Sequence, residues 1–213
     1  MMLSFISALY NEQEELEDLI NHVTPYVDGL YFADDKSTDR TLEILYNQSL
    51  KSDVSGPFSV KYMSVHTGLP ETVKNEALKM VPDGSWVLML DADERFAPGV
   101  LEAIQAWLPQ AGNVTHMYFR QVEIIDGQPV REFQKSKLFK KDSIIFSTGI
   151  HEDDRFYGEG LYKPEWLVYH RKSSQKQRQR ELEYLETYDK LFEEGKIDDG
   201  RRQWLRGLHH YVT

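Results

Sequence analysis

A short apolar run followed at once by two acidic residues constrains this chain more than any other feature of its sequence. Residues 87–90 are Val, Leu, Met and Leu, and Asp91 and Asp93 follow with one residue between them. The run is typical of a buried strand, and ligands in open α/β sheets bind beyond the carboxyl ends of the strands. Carboxylates at that position can hold a hard divalent cation. Because Asp-x-Asp is also common in solvated turns, the rest of the chain has to decide between the two interpretations.

Composition and charge narrow the class of protein. The chain has 213 residues, 40% of them hydrophobic, which fits one folded domain with a substantial core. A net charge of −10 argues against a surface built for nonspecific nucleic-acid binding. Because there is no cysteine, any metal must be bound by oxygen or imidazole ligands. No apolar run approaches the roughly 20 residues that span a bilayer, so we expect a cytoplasmic protein, with peripheral membrane binding as a further option.

Strands and helices alternate over the first half of the chain. The predicted strands are residues 3–8, 29–33, 58–65 and 85–90, and the predicted helices are residues 12–23, 39–50, 70–81 and 98–108. Thr38 or Asp39 is the expected cap of the second helix. This alternation is typical of βαβ units, so we predict an α/β fold with a largely parallel sheet.

The pattern changes in the second half. A long strand is predicted at residues 116–125, followed by a hairpin turn at Asp126 and Gly127 and a strand at 130–134. Further short strands are predicted at residues 137–140, 144–147 and 166–169, which indicates mixed or antiparallel pairing. Helices are predicted at residues 173–195 and 201–212. Each helix carries an apolar stripe that favours core packing, with a homodimer or membrane contact as the alternative. The stripes are Leu182, Leu185, Tyr188, Leu191 and Phe192 in the first helix, and Trp204, Leu205, Leu208, Tyr211 and Val212 in the second. The basic residues of 171–180 are typical of a solvated helix face, or they could attract an anionic acceptor.

Polar clusters follow three of the predicted parallel strands. They are Tyr10-Asn11-Glu12, Asp34-Asp35 and Asp91-Ala92-Asp93. We expect all three at one edge of the sheet, where a nucleotide would lie. The chain has no glycine-rich phosphate fingerprint, which argues against a dinucleotide fold or a P-loop. A metal ion bound by Asp91 and Asp93 would instead neutralise the charge of a diphosphate. The clusters at residues 10–12 and 34–35 could contact the base or ribose.

The order of these segments resembles the family-2 glycosyltransferases of GT-A fold. The segments are 8–12, 34–39 and 91–94, joined by 73–75, which is similar to that family's Ala-Arg-Asn with Lys74 in place of Arg. Residues 137–139 and 149–152, and then Tyr169-His170 with Ser173-Ser174, are similar to elements of a bacterial subgroup that includes the lipopolysaccharide-core β-glucosyltransferase-like proteins.

The resemblance implies one GT-A domain over residues 1–213. Residues 1–112 would bind the nucleotide sugar, residues 113–172 the acceptor, and residues 173–213 would form C-terminal helices. The implied reaction moves a sugar from a nucleotide diphosphate donor, commonly a UDP-sugar, to an acceptor hydroxyl with inversion. The acceptor could be a glycan, a lipid-linked sugar, a protein or a modified base. The implied cofactor is Mn²⁺ or Mg²⁺.

The resemblance also implies roles for individual residues. Asp93 is the main metal ligand, Asp91 binds the metal directly or through water and ribose, and His151 or His170 could add an imidazole ligand. Glu152 is the favoured catalytic base, with Asp153 and Asp154 as alternatives; the acidic loop could instead be solvated surface. Donor contacts are expected from Ala8, Tyr10, Glu12, Asp34, Asp35, Lys74, Asn75, Asp91 and Ala92.

Other classes of protein share parts of this pattern. Sugar-nucleotide nucleotidyltransferases also place an Asp on a metal beside a nucleotide, but they usually carry a glycine-rich basic loop that residues 8–11 lack. Aspartate-type phosphatases use Asp-x-Asp after the first core strand, whereas here the motif follows the fourth predicted strand. A nucleotide-sugar or carbohydrate-binding module without catalysis is the non-enzyme alternative, and the complete acidic set argues against it.

Overall fold

The computed structural model describes residues 1–51, 56–146 and 155–207, without the side chain of Leu205. The strands are β1 (Leu3–Leu9), β2 (Gly29–Asp34), β3 (Phe58–Tyr62), β4 (Trp86–Met89), β5 (Glu94–Phe96), β6 (Val114–Ile125), β7 (Gln128–Lys140), β8 (Ile144–Ile145), β9 (Arg155–Phe156) and β10 (Glu159–Lys172). The helices are α1 (Leu16–Val23), α2 (Thr41–Lys51), α3 (Pro70–Met80), α4 (Val100–Trp107), α5 (Ser174–Glu193) and α6 (Asp199–Gly207).

Eight of these strands form one sheet in the order β3-β2-β1-β4-β7-β6-β10-β5. The four strands from β3 to β4 are parallel. β7 then runs antiparallel between β4 and β6, while β10 is parallel to β6 and antiparallel to β5. The prediction of an α/β fold, with a parallel first half and a mixed second half, is confirmed.

Helices cover both faces of the central parallel strands, which explains why β1, β2 and β4 are buried at nearly every position. On one face Phe5 and Leu88 pack in a core shared with α1 and α4. On the other face Ile6 and Met89 pack against α3 through Val73. Within the ranges given above, no helix is both long enough and apolar enough to cross a membrane.

Several predicted boundaries differ from the structure, and local hydrogen bonding explains the largest difference. The first helix begins at Leu16 and not at residue 12, because residues 12–15 form a turn in which the Glu12 carbonyl accepts from the amides of Glu15 and Leu16. β7 is one strand over the stretch predicted as two, and β10 is longer than predicted. Asp39 accepts a hydrogen bond from the Thr41 amide at 2.9 Å, as expected of a cap.

The C-terminal helices only partly follow the predicted core stripes. Tyr188 of α5 is fully buried, but Leu182 is 41% exposed and Trp204 of α6 is 48% exposed. The core prediction is therefore wrong for Leu182 and Trp204. Leu208, Tyr211 and Val212 of the predicted stripe lie outside the described residues.

The pairing register brings the carboxyl ends of β1, β2 and β4 to one edge of the sheet. Leu9 pairs with Asp34, and Ile6 pairs with both Tyr31 and Met89. The residues that follow each strand therefore meet at this edge, as the sequence predicts. Helix α5 returns across the same edge and reaches Glu12 through Lys176 and Arg180.

Candidate functional site

The acidic pair lies in a tight turn between β4 and β5. The Glu94 amide donates to the Asp91 carbonyl at 3.1 Å, and the Asp91 amide donates to the Glu94 carboxylate at 2.9 Å. The Asp93 carbonyl accepts from the Arg171 amide of β10 at 3.0 Å. The turn is thus held by its own backbone and by a neighbouring strand, which fixes the direction of both acidic side chains.

A buried polar network supports this turn from behind. Glu94 is 1% exposed and forms an ion pair with Lys137 of β7, which is 2% exposed. The side-chain amide of Gln121 donates to Glu94 at 2.8 Å, and its nitrogen lies 3.1 Å from Nδ1 of His170. The β10–β5 register, which pairs His170 with Glu94, places the imidazole beside the acidic turn.

Asp93 combines deep burial with a lack of hydrogen-bond donors. It is 2% exposed, and neither carboxylate oxygen accepts a hydrogen bond from the part of the chain that the structure describes. Nε2 of His170 lies 3.1 Å from one oxygen as an ion-pair contact, and Nη1 of Arg180 lies 4.0 Å from the other, beyond hydrogen-bond distance. Burial raises the pKa of Asp93, but His170 and Arg180 lower it further, to about 2. A buried carboxylate that is ionised and lacks donors suits a cation.

Asp91 points into a cleft of about 200 Å³ at the edge of the sheet. Burial opposes the ionised form of Asp91, but Lys74, Lys137 and other nearby cations outweigh it, so the pKa of Asp91 lies well below its ordinary value. The cleft is lined by the end of β1, the loop before α3, the start of α3, and α5. Its lining residues are Ala8, Leu9, Tyr10, Glu12, Asp35, His66, Gly68, Pro70, Glu71, Val73, Lys74, Asp91, Arg180, Glu183, Tyr184 and Thr187.

One wall of the cleft is organised by Asp35. Its carboxylate accepts from the Thr67 amide at 2.8 Å and the Gly68 amide at 3.0 Å, and Nδ1 of His66 lies 2.9 Å away. The His66 ring stacks on Tyr10 with 4.1 Å between ring centroids. The carboxylate is therefore already engaged in holding the 66–68 loop, and the loop places an imidazole against the tyrosine expected to contact a base.

A cluster of charges on α5 was not identified as part of the site from the sequence. Glu12 is buried and forms ion pairs with Arg180 and with Lys176, whose amine lies 2.8 Å away. Burial raises the pKa of Glu12, and the two cations act against that rise. The only sequence signal was the spacing of Lys176 and Arg180, which puts both on one side of a helix. The solvated-face interpretation of the basic run is therefore wrong for these residues.

The remaining predicted site residues have diverse surroundings. Asp34 accepts from the amide and hydroxyl of Ser37, at 2.9 and 2.6 Å, and so shapes the loop after β2. Asn75 donates to the Phe146 carbonyl at 3.0 Å, and Ala92 packs in the core. Predicted residues His151, Glu152 and Asp153 lie outside the described residues.

Two donor types suited to a metal converge at the acidic turn. These are the carboxylate of Asp93 and the imidazole of His170, with Asp91 on the same turn. Across residues 1–51, 56–146 and 155–207, no group of three or more His, Asp or Glu side chains is arranged as a metal site. The fit to a cation therefore depends on the unsatisfied oxygens of Asp93.

Comparison with known proteins identifies the family. The model of the family described as Glycosyl transferase family 2 matches residues 4–181, so the chain belongs to this family. No curated protein matches the chain in sequence.

Solved structures of similar fold include a mannosyltransferase and a protein in complex with a nucleotide sugar. S. aureus TarS 1-349 in complex with UDP-GlcNAc has a TM-score of 0.62 at 16% identity, covering 97% of this chain and 70% of that one. The mannosyltransferase PcManGT from Pyrobaculum calidifontis, in complex with GDP-Man and Mn²⁺, has a TM-score of 0.62 at 15% identity, covering 98% and 69%. The sheet and its helices therefore form a GT-A fold, and the family match makes the chain a glycosyltransferase.

Replacing Lys137 with Met should destabilise the fold strongly. The variant leaves Glu94 buried without a counter-charge, so we expect the free energy of unfolding to fall by about 3–5 kcal/mol. Chemical denaturation followed by tryptophan fluorescence measures the loss. Lys137→Arg, which keeps the charge, is the matched control. Equal stability of Lys137→Met and the wild type would show that the ion pair does not support the turn.

Proposed function

We propose that this protein transfers a sugar from a UDP-sugar to an acceptor hydroxyl with inversion at the anomeric carbon, assisted by Mn²⁺ or Mg²⁺. One observation carries the proposal: Asp93 is buried at the carboxyl edge of the sheet with both oxygens lacking a hydrogen-bond donor among the described residues. We also propose membership of the lipopolysaccharide-core β-glucosyltransferase-like subgroup, on the motifs quoted above.

Asp93, Asp91 and His170 would hold the metal ion, with His151 as a further candidate ligand. When bound, the ion neutralises charge on the diphosphate leaving group as a Lewis acid. The Mn²⁺ and GDP-Man named in the PcManGT structure support this choice of cofactor and of ligand class. Lys74 lines the same cleft and adds positive charge beside Asp91.

The nucleobase would lie between Ala8 and the ring of Tyr10, where β1 ends. In this proposal Asp35 acts through the loop that it holds, because its carboxylate already accepts two backbone hydrogen bonds. The arrangement suits a planar heterocycle, which can stack on Tyr10 and His66.

The chemical step needs a leaving group and a base. The acceptor oxygen attacks the anomeric carbon, and the bond from that carbon to the β-phosphate oxygen breaks with its electron pair passing to the diphosphate. The acceptor proton passes to a carboxylate, for which we propose Glu152, with Asp153 as the alternative. A general base of this kind contributes about 10²–10⁴-fold to the rate.

A thermal-shift screen of nucleotide sugars with and without Mn²⁺ tests the proposed donor and metal. At about 100 times its Kd a ligand adds about 2.7 kcal/mol of stability, which for a chain of this length should raise the Tm by about 5–10 °C. The Asp93→Asn variant should lose the Mn²⁺-dependent part of this shift. If no nucleotide sugar raises the Tm of the wild type, the proposal is wrong.

Substituting Glu152 with Gln separates catalysis from binding. The amide keeps the size of the side chain but cannot accept the proton, so we expect turnover to fall by about 10²-fold or more. Donor affinity, measured by calorimetry, should stay within about twofold of the wild type. Asp153→Asn is the matched comparison. A loss of donor affinity with unchanged turnover would exclude Glu152 as the base.

A further inference from the structure

We propose that Arg180 binds the diphosphate of the donor, and that it turns from Asp93 to the phosphates when a metal ion occupies the acidic turn. This role rests on the proposed function, because it requires both a diphosphate and a cation at this site. Arg180 would be a catalytic residue that touches the leaving group. The sequence places Arg180 in the basic run of residues 171–180, far along the chain from the acidic motifs, and so does not predict a contact with the donor.

The position of Arg180 carries the proposal. Its side chain lines the cleft together with Asp91 and is 31% exposed. One guanidinium nitrogen pairs with Glu12, and the other lies 4.0 Å from Asp93. A planar guanidinium has five donors and suits phosphate oxygens in a bidentate manner. The group therefore already lies where diphosphate oxygens would meet a cation held by the acidic turn.

Electrostatics gives the exchange its direction. Glu12 and Asp91 line the same cleft as Arg180, and Asp93 lies 4.0 Å from Nη1 of Arg180, so three carboxylates surround this guanidinium. A divalent cation on Asp93 would repel a guanidinium at this distance. The diphosphate brings negative charge to the same place, so the guanidinium gains a partner as it loses one.

Lys176 allows this exchange without leaving Glu12 unpaired. Its amine lies 2.8 Å from one oxygen of Glu12, while Arg180 contacts the other. When Arg180 turns towards phosphate, the buried carboxylate keeps a counter-charge. If Arg180 were the only cation on Glu12, its departure would leave a buried carboxylate without a counter-charge, which is strongly destabilising.

Helix α5 is already docked on the cleft and can deliver Arg180 without a large movement. Tyr188 is fully buried against Leu69 of the 66–69 loop. A side chain at Gly68 would place its Cβ 3.0 Å from the Thr187 hydroxyl, so the loop and the helix approach closely there. The proposed motion is therefore a rotation of the Arg180 side chain.

Two affinities measured on Arg180→Gln should change in opposite directions. By calorimetry, the affinity for UDP in the presence of Mn²⁺ should fall about 10–100-fold, the usual effect of losing a charged hydrogen bond. The affinity for uridine, which has no phosphate, should change by less than about threefold. The affinity for Mn²⁺ without nucleotide should rise, because the competing guanidinium is gone.

Two further variants complete the test. Arg178→Gln removes an exposed arginine from the same helix and should leave all three affinities unchanged. Arg180→Lys keeps the charge but not the bidentate geometry, so its UDP affinity should lie between those of Arg180→Gln and the wild type. If Arg180→Gln destabilises the fold, this second variant still reports on the diphosphate.

Three outcomes would overturn the role. A parallel loss of UDP and Mn²⁺ affinity in Arg180→Gln would make Arg180 a structural residue. Unchanged UDP affinity in that variant would show that Arg180 does not contact the diphosphate, and would leave the proposed function intact. A wild-type chain that binds no nucleoside diphosphate would overturn the proposed function and this role together.

Discussion

The buried ion pair between Glu94 and Lys137 is the interaction on which the edge of the sheet depends. Glu94 accepts the Asp91 amide and the Gln121 side-chain amide, so one carboxylate holds the acidic turn to its neighbours. Lys137 comes from β7, which pairs antiparallel with β4 next to this turn. A carboxylate that is 1% exposed is stable only with such a partner. The geometry of the acidic pair therefore depends on a strand from the other half of the chain.

The strands and their shared edge could be predicted because burial leaves a pattern in the sequence. β1, β2 and β4 are mostly apolar and almost entirely buried, and acidic or polar residues stand at or just after the end of each, where parallel strands end together. β5 escaped prediction because it begins with Glu94 and Arg95, which look like loop residues. Both are buried by partners distant in sequence, which no local pattern reveals.

Side-chain roles were less predictable than strand positions, for the same reason. Asp35 follows its strand as expected, yet its oxygens accept from Thr67 and Gly68, which a loop about 30 residues away supplies. Arg180 lies in a basic run that resembles any solvated helix, and only the docking of α5 brings it to Glu12. Contacts of this kind depend on how helices and loops pack, so they became visible only in the structure.

The two groups of charges around the acidic turn differ in their access to water, and this difference separates their functions. Behind the turn, Glu94 and Lys137 are at most 2% exposed, so neither can change partner without leaving a bare charge in the core. In front of it, Arg180 is 31% exposed and lies on the cleft, where water or phosphate can replace Asp93 as its partner. Only the front group can respond to a ligand. In the proposed exchange, the rear group would hold Asp91 and Asp93 in place while Arg180 changes partner.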